Sequence, residues 1–213
     1  SDPLTRLAAW LAVWRGGRCC VMSASAESAT DLSGADAILG DTAARERAPA
    51  SMPFVDVASA SAPPPGAEAT VHRSGTALEI RGDVVATGLS YAQVAQLTQS
   101  MANRIAVPEG AAWVVCDELP DPTGAIESLA ALTAGCSVLF VSSELARDGD
   151  QLAVVLAAAQ PGIAHLPPSS WRALLDAWWT VKSPLAALVD GVETHLELAQ
   201  ALVAAGVELL STG

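Results

Sequence analysis

Lysine is almost missing from this sequence: Lys182 is the only one in 213 residues. Lysine and arginine together number 11 against 23 acidic residues, so the net charge is −12. A protein that binds nucleic acid needs basic groups to displace counterions from phosphates, and no basic stripe exists to do so. Anionic membrane surfaces are disfavoured for the same reason, and no apolar run approaches the roughly 20 residues that span a bilayer. Cysteine is scarce too. Cys19, Cys20, Cys116 and Cys136 fit neither a CxxC redox pair nor a zinc knuckle, and a reducing cytoplasm suits four unpaired thiols. Only 16% of residues are charged, against roughly 25% in an average soluble domain. That shortage points to a surface covered by another domain of the same polypeptide, although an alanine-rich composition contributes to it. The start, Ser1-Asp2-Pro3, has neither an initiator methionine nor a signal segment, which predicts a beginning inside a longer polypeptide or after a cleaved tag.

What is present alternates regularly. Leu4, Leu7, Leu11 and Trp14 recur at three- and four-residue steps and predict a helix from Leu4 to Arg15, ended by Gly16-Gly17. Arg18 to Met22 reads as a short buried strand, Ser23 to Ser33 as a polar stretch with a short helix, and Ala37 to Leu39 as another strand. From 45 to 69 the pattern thins into a proline-rich loop holding Pro63-Pro64-Pro65, with one apolar island at Phe54 to Val57. Leu78 to Val85 reads as a hairpin through Arg81-Gly82-Asp83. Ser90 is placed to cap a helix from Tyr91 to Ile105. Strands are then expected at 112–116, 137–141, 163–166, 186–189 and 207–210. The helices between them are expected at 125–134, 150–159, 171–179 and 196–205, with Ser169 or Ser170 capping the third. Such alternation predicts an α/β fold of layered helix–strand repeats with a mostly parallel sheet. The whole of 1–213 reads as one domain, with a division into lobes 1–68 and 69–213 left open.

Several of these units resemble stretches of the adenylate-forming superfamily, the group of nonribosomal peptide synthetase adenylation domains and acyl-CoA ligases. Leu11-Ala12-Val13-Trp14 through Gly16-Gly17 and Val21-Met22 is similar to its "alkAGgayvPl" element. Leu129-Ala130-Ala131-Leu132 through Ala134-Gly135 and Val138-Leu139 is similar to "LLaGatlVl". Ile163 to Ser169, followed by Trp171-Arg172-Ala173-Leu174-Leu175, resembles "vthl-vPs-lraLL", and Glu197 to Leu202 falls where the family has a helix behind its "GGE" loop. The order and spacing of these pieces agree along nearly the whole chain. The resemblance implies a truncated, partial N-terminal subdomain of the adenylate-forming fold.

The resemblance also locates what has changed. The family grips ATP with a loop close to "YTSGTTGxPKG", in which small residues let backbone N–H groups reach the phosphates. The matching run is His72-Arg73-Ser74-Gly75-Thr76-Ala77-Leu78-Glu79-Ile80-Arg81-Gly82. It keeps Ser74, Gly75, Thr76 and Gly82 as a vestigial phosphate loop. Leu78 stands in the place of the second glycine, Ile80 in that of the proline and Arg81 in that of the lysine. Glu79 puts a carboxylate beside the place of a polyanion, and Leu78 to Arg81 reads instead as an alternating hairpin strand. Where the family's "FDxS" loop supplies an aspartate for a substrate ammonium, this chain reads Asp121-Pro122-Thr123-Gly124, with Pro122 in the acidic place. A slip of one residue would let Asp121 substitute, and Asp117 or Glu118 could reach in. The chain stops at Ser211-Thr212-Gly213, where the family's Tyr-Gly-Pro-Thr-Glu-like loop would begin.

Other chemistries find less. His72, His165 and His195 show neither an HExxH nor a paired spacing, and there is no GxSxG elbow and no GxGxxG turn, so no metal, serine-triad or dinucleotide site is expected. His165 reads as a buried or half-buried hydrogen-bonding residue. Trp10, Trp14, Trp113, Trp171, Trp178 and Trp179 read mainly as core, with Trp178 and Trp179 as an alternative anchor for a neighbouring domain. The expected function is a non-catalytic scaffold in a modular nonribosomal peptide or polyketide synthase. Its partners would be neighbouring domains, a carrier protein among them, with no catalytic residue and no cofactor. The alternative is a fragment of an active acyl- or aminoacyl-adenylating enzyme, for which ATP and magnesium would be required.

Overall fold

The computed structural model describes residues 3–15, 18–23, 38–40, 46, 51–56, 75–81, 86–105, 110–116, 123–189 and 196–211. The chain divides into two compact units, Ser1–Gln96 and Leu97–Gly213.

In the first unit, helix α1 (Pro3–Arg15) precedes strand β1 (Cys20–Ser23). The stretches β2 (Ile38–Gly40) and β3 (Phe54–Asp56) pair in parallel as a separate two-stranded ladder. Strand β4 (Thr76–Arg81) falls where alternation predicts the first arm of a hairpin; the rest of the expected turn and the second arm up to Val85 lie outside the described residues. The strand that pairs antiparallel with β4 is β5 (Ala86–Ser90), which the alternation does not announce, while β1 joins β4 in parallel to give the order β1-β4-β5. The hairpin register shifts between Thr76 and Leu78, leaving the buried Ala77 in the irregularity. Its carbonyl accepts a hydrogen bond from the Trp14 indole Nε1 at 2.7 Å, so α1 is tied to the sheet at that point. The Tyr91 hydroxyl likewise donates to the Arg18 carbonyl at 2.6 Å. The periodic face of α1 is used only in part: Leu7 is buried, whereas Leu4 and Leu11 are exposed. Apolar residues run nearly all round this helix, so its spacing predicts a helix without fixing which side is covered.

Helix α2 (Tyr91–Arg104), within which the division falls, starts as Ser90 suggests. The Gln93 backbone N–H donates to Ser90 Oγ at 3.2 Å and the Ser90 N–H donates to Gln93 Oε1 at 2.8 Å, a reciprocal capping box.

The second unit is built on a five-stranded, all-parallel sheet in the order β10-β9-β8-β6-β7. Its elements run β6 (Ala112–Cys116), α3 (Thr123–Thr133), β7 (Ser137–Val141), α4 (Ser143–Ala146), α5 (Gly149–Ala159), β8 (Ile163–His165), α6 (Pro168–Asp176), β9 (Ala186–Val189), α7 (Leu196–Ala204) and β10 (Glu208–Ser211). The inner strands β6, β8 and β9 are buried almost throughout, which explains their continuous apolar runs. Trp113, within β6, and Trp171, on α6, are fully buried. Helices α5 and α6 pack closely because Gly149 has no Cβ: one built there would lie 2.1 Å from the Ala173 carbonyl oxygen.

Two local expectations differ. Helix α6 begins at Pro168, with Pro167 in the cap position and no side-chain cap. Neither Ser169 nor Ser170 caps it, because a proline's fixed φ suits the first helical position and both serines then fall inside the first turn. The one-turn helix α4, capped by Ser142 Oγ accepting from the Leu145 N–H at 3.3 Å, was not legible as a periodic segment. Among the described residues, no helix is long and apolar enough to cross a membrane.

Candidate functional site

Three places bear on function, and each lies within one unit. The first is the run matched to a phosphate loop. Ser74 and Gly82 lie outside the described residues. Gly75 precedes β4 at a φ of 124°, Thr76 opens the strand and is exposed, and Arg81 closes it. Between them the chain is a central strand. Leu78, Glu79, Ile80 and Arg81 pair with Cys20, Val21, Met22 and Ser23 on one side and with Leu89, Gly88, Thr87 and Ala86 on the other. A strand laddered on both edges spends its N–H groups on its neighbours. Those same N–H groups are what a phosphate-wrapping loop must leave free. Leu78 is buried in this sheet, as an alternating strand requires.

The second place follows from the strand order of the parallel sheet. The connection from β6 leads to β7 on one side, and that from β8 leads to β9 on the other. The crevice outside the carboxyl ends of β6 and β8 is therefore the topological switch point, where open α/β sheets bind ligands. Cys116 ends β6, Thr123 and Gly124 open α3, and His165 ends β8. His165 Nδ1 is bonded to Glu127 Oε1 of α3. This pairing of residues 38 apart ties α3 to β8, and no local pattern announces it. The side chains are 2% and 0% exposed. A general base has to reach a substrate proton, and this pair is enclosed, so the geometry supports a structural bond. Ser128 Oγ donates to the Gly124 carbonyl at 2.6 Å, which keeps that hydroxyl within its own helix. Asp117, Glu118, Asp121 and Pro122 lie outside the described residues, as do His72, Arg73 and His195.

Cys20 and Cys136 are not poised as nucleophiles. Burial, followed by the neighbouring Cys19, pushes Cys20 up to about 12, and burial also raises Cys136. No group of three His, Cys, Asp or Glu that could hold a metal ion occurs among the described residues.

The third place is an apolar groove of about 320 Å³ between α5 and the segment that follows α6. Trp178 and Trp179 both line it and behave differently. Trp179 is half-buried, its ring 6.4 Å from that of the buried Trp171 and tilted by 48°. Trp178 is 91% exposed. Lys182, which is exposed, lies on the same groove.

No protein-family model matches the chain, and no curated protein matches it. Solved structures do. A four-domain nonribosomal peptide synthetase, in its holo form with AMP and glycine bound, matches 98% of this chain over 17% of its own, at a TM-score of 0.80 and 21% identity. The o-succinylbenzoate CoA synthetase of Bacillus subtilis matches 97% over 46%, at 0.76 and 15%. The coronafacic acid ligase of Pectobacterium brasiliense matches 99% over 48%, at 0.70 and 17%. The chain thus spans about half the length of the two ligases and a sixth of the synthetase. At these identities the likeness concerns the fold, which is a partial adenylate-forming fold.

Proposed function

We propose, from a fold shared with adenylate-forming synthetases and ligases, that this chain is a non-catalytic adenylation-like domain of a modular nonribosomal peptide or polyketide synthase. Its work is to space or dock neighbouring domains, a carrier domain among them. One observation carries the reading: β4, the run matched to the phosphate loop, is laddered on both edges. From Leu78 to Arg81 its backbone is paired to β1 on one edge and β5 on the other, so these donors are not available to a triphosphate. The burial of Leu78, where the resemblance expects a glycine, supports the same reading. So does Pro122, which stands in the acidic place of the substrate loop. The multidomain character of the synthetase neighbour supports partners within one polypeptide.

The test is direct. Calorimetry and thermal shift of this chain with ATP and magnesium are expected to show no saturable binding and no rise in melting temperature. Micromolar binding would overturn the proposal and select the other reading, a piece of a working acyl- or aminoacyl-adenylating enzyme.

A further inference from the structure

Three helices of the second unit end in the same way. At the end of α3 the Cys136 N–H donates to the Ala131 carbonyl and the Gly135 N–H to Leu132. At the end of α7 the Val207 N–H donates to Leu202 and the Gly206 N–H to Val203. At the end of α6 the Trp179 N–H donates to Leu174 and the Trp178 N–H to Leu175. Each is a Schellman motif, whose penultimate residue must be left-handed and is usually glycine. Gly135 and Gly206 take that place at φ 74° and 89°; at the end of α6 it is taken by Trp178 at φ 54°. A large aromatic at a left-handed position is strained. Its ring gains nothing inside the fold in return, since Trp178 is almost wholly exposed. The only other non-glycine residue at positive φ among the described residues is Gln160, at φ 44° where α5 ends. Both line the same groove. Strain held at an exposed surface, against local stability, marks a place kept for something other than folding.

We propose that this groove docks an acidic amphipathic helix of a partner domain, which seats an aliphatic side chain against Trp178 and sets a carboxylate on Lys182. The proposal rests on the docking role inferred above and gives the partner its chemistry. Shape supports a helix. The α5 wall presents Ala153, Val154 and Ala157, small or short residues at three- and four-residue steps that let a second helix come close. Val154, like Trp178, is largely exposed. Charge supports an acidic partner. The chain carries a net −12, yet no acidic residue lines the groove and its only lysine does. Among the described residues no carboxylate pairs with Lys182. The groove therefore carries a positive side chain and no negative one in a molecule of net −12, which favours an acidic partner over a basic one.

The test titrates the full chain with helical peptides of about 16 residues, an apolar seam long enough for two anchors. One carries a leucine seam flanked by glutamates, one the same seam flanked by lysines, and one has the seam leucines replaced by serine. The readout is peptide anisotropy together with tryptophan emission. The acidic leucine peptide is expected to bind and to blue-shift the emission, with the lysine and serine peptides at least about tenfold weaker. Trp178→Gly is expected to weaken the acidic peptide at least about tenfold while leaving the melting temperature unchanged or higher, and Lys182→Glu to reverse the charge preference. Equal binding of acidic and basic peptides would overturn the proposal, as would no binding of any. A lower melting temperature for Trp178→Gly would make the ring structural and overturn it too. Self-association of the chain that Trp178→Gly abolishes would give the groove to a second copy, against the proposal. Binding of ATP by the chain would remove the non-catalytic reading and leave the peptide result standing, so the two failures are distinguishable.

Discussion

The two units are held together by different means, and their tryptophans show it. In the second unit Trp171 is buried among the apolar side chains that surround a parallel sheet, and its indole N–H has no hydrogen-bond partner among the described residues. In the first unit Trp14 is only half-buried, and its contribution is a hydrogen bond to the freed carbonyl of Ala77. The first unit is stitched by side chains reaching backbone, through Trp14, Tyr91 and the Ser90–Gln93 box. The second is held mainly by a large buried apolar core, with the Glu127–His165 pair as a polar tie within it. A fold kept by packing can lose its catalytic residues and stand, because burial responds to shape and hydrophobicity and not to the chemistry of a loop. The run matched to a phosphate loop lies in the stitched unit, where from Thr76 to Arg81 it is itself the central strand of the sheet.

The largest effect is expected from emptying the second unit. Trp171→Ala should cost about 3–5 kcal/mol, the transfer energy of the ring plus the cavity it leaves. Urea denaturation would show this as a lower midpoint at unchanged slope. Trp171→Phe should cost much less, because no hydrogen bond is lost with the indole nitrogen. If alanine and phenylalanine proved equally damaging, the ring would be acting through a polar contact, and the contrast between the units would fail.

In the first unit the order of effects is reversed. Trp14→Phe keeps most of the apolar area but leaves the Ala77 carbonyl without its donor, at a cost of about 1–2 kcal/mol. Phenylalanine is thus the harmful replacement at position 14 and the tolerated one at 171. Hydrogen exchange of the β4–β5 hairpin would locate the loss. Unchanged protection there would mean that α1 is not tied to the sheet through this bond.

How much of this the sequence announces depends on the kind of interaction. The inner strands were legible because burial on both faces forces unbroken apolar runs, as in Trp113 to Cys116 and Ala186 to Val189. The hairpin strand from Leu78 to Arg81 was legible from its alternation. The start of α6 departs from a serine cap because Pro168, with its fixed φ, is the stronger signal at a first helical position and leaves Ser169 and Ser170 inside the first turn. The one-turn helix Ser143–Ala146 is too short to show a period. The pair Glu127–His165 was illegible, since nothing local links two residues on different elements. Trp178 was half legible: a tryptophan pair suggested an interface, but the left-handed backbone beneath it contradicts the glycine that sequence rules expect there.

The smallest effect probes the wall of the groove. Helix α5 is capped by Asp148, whose carboxylate accepts from the Gln151 N–H at 3.0 Å and from its side-chain amide at 2.6 Å. These bonds, the backbone one first, hold the carboxyl below its usual 3.8. A carboxyl that ionises more readily folded than unfolded adds stability above its unfolded value, and that contribution is lost as pH falls through the folded one. Asp148→Asn keeps a capping side chain and removes the titration. The wild type should therefore melt slightly above the variant near neutral pH, and the gap should close below about pH 4. The carboxylate is reached by solvent, so salt and water keep the difference small. A gap that stayed constant down to low pH would mean that the negative charge of the cap contributes nothing, and that geometry alone fixes the start of the helix against which the partner would dock.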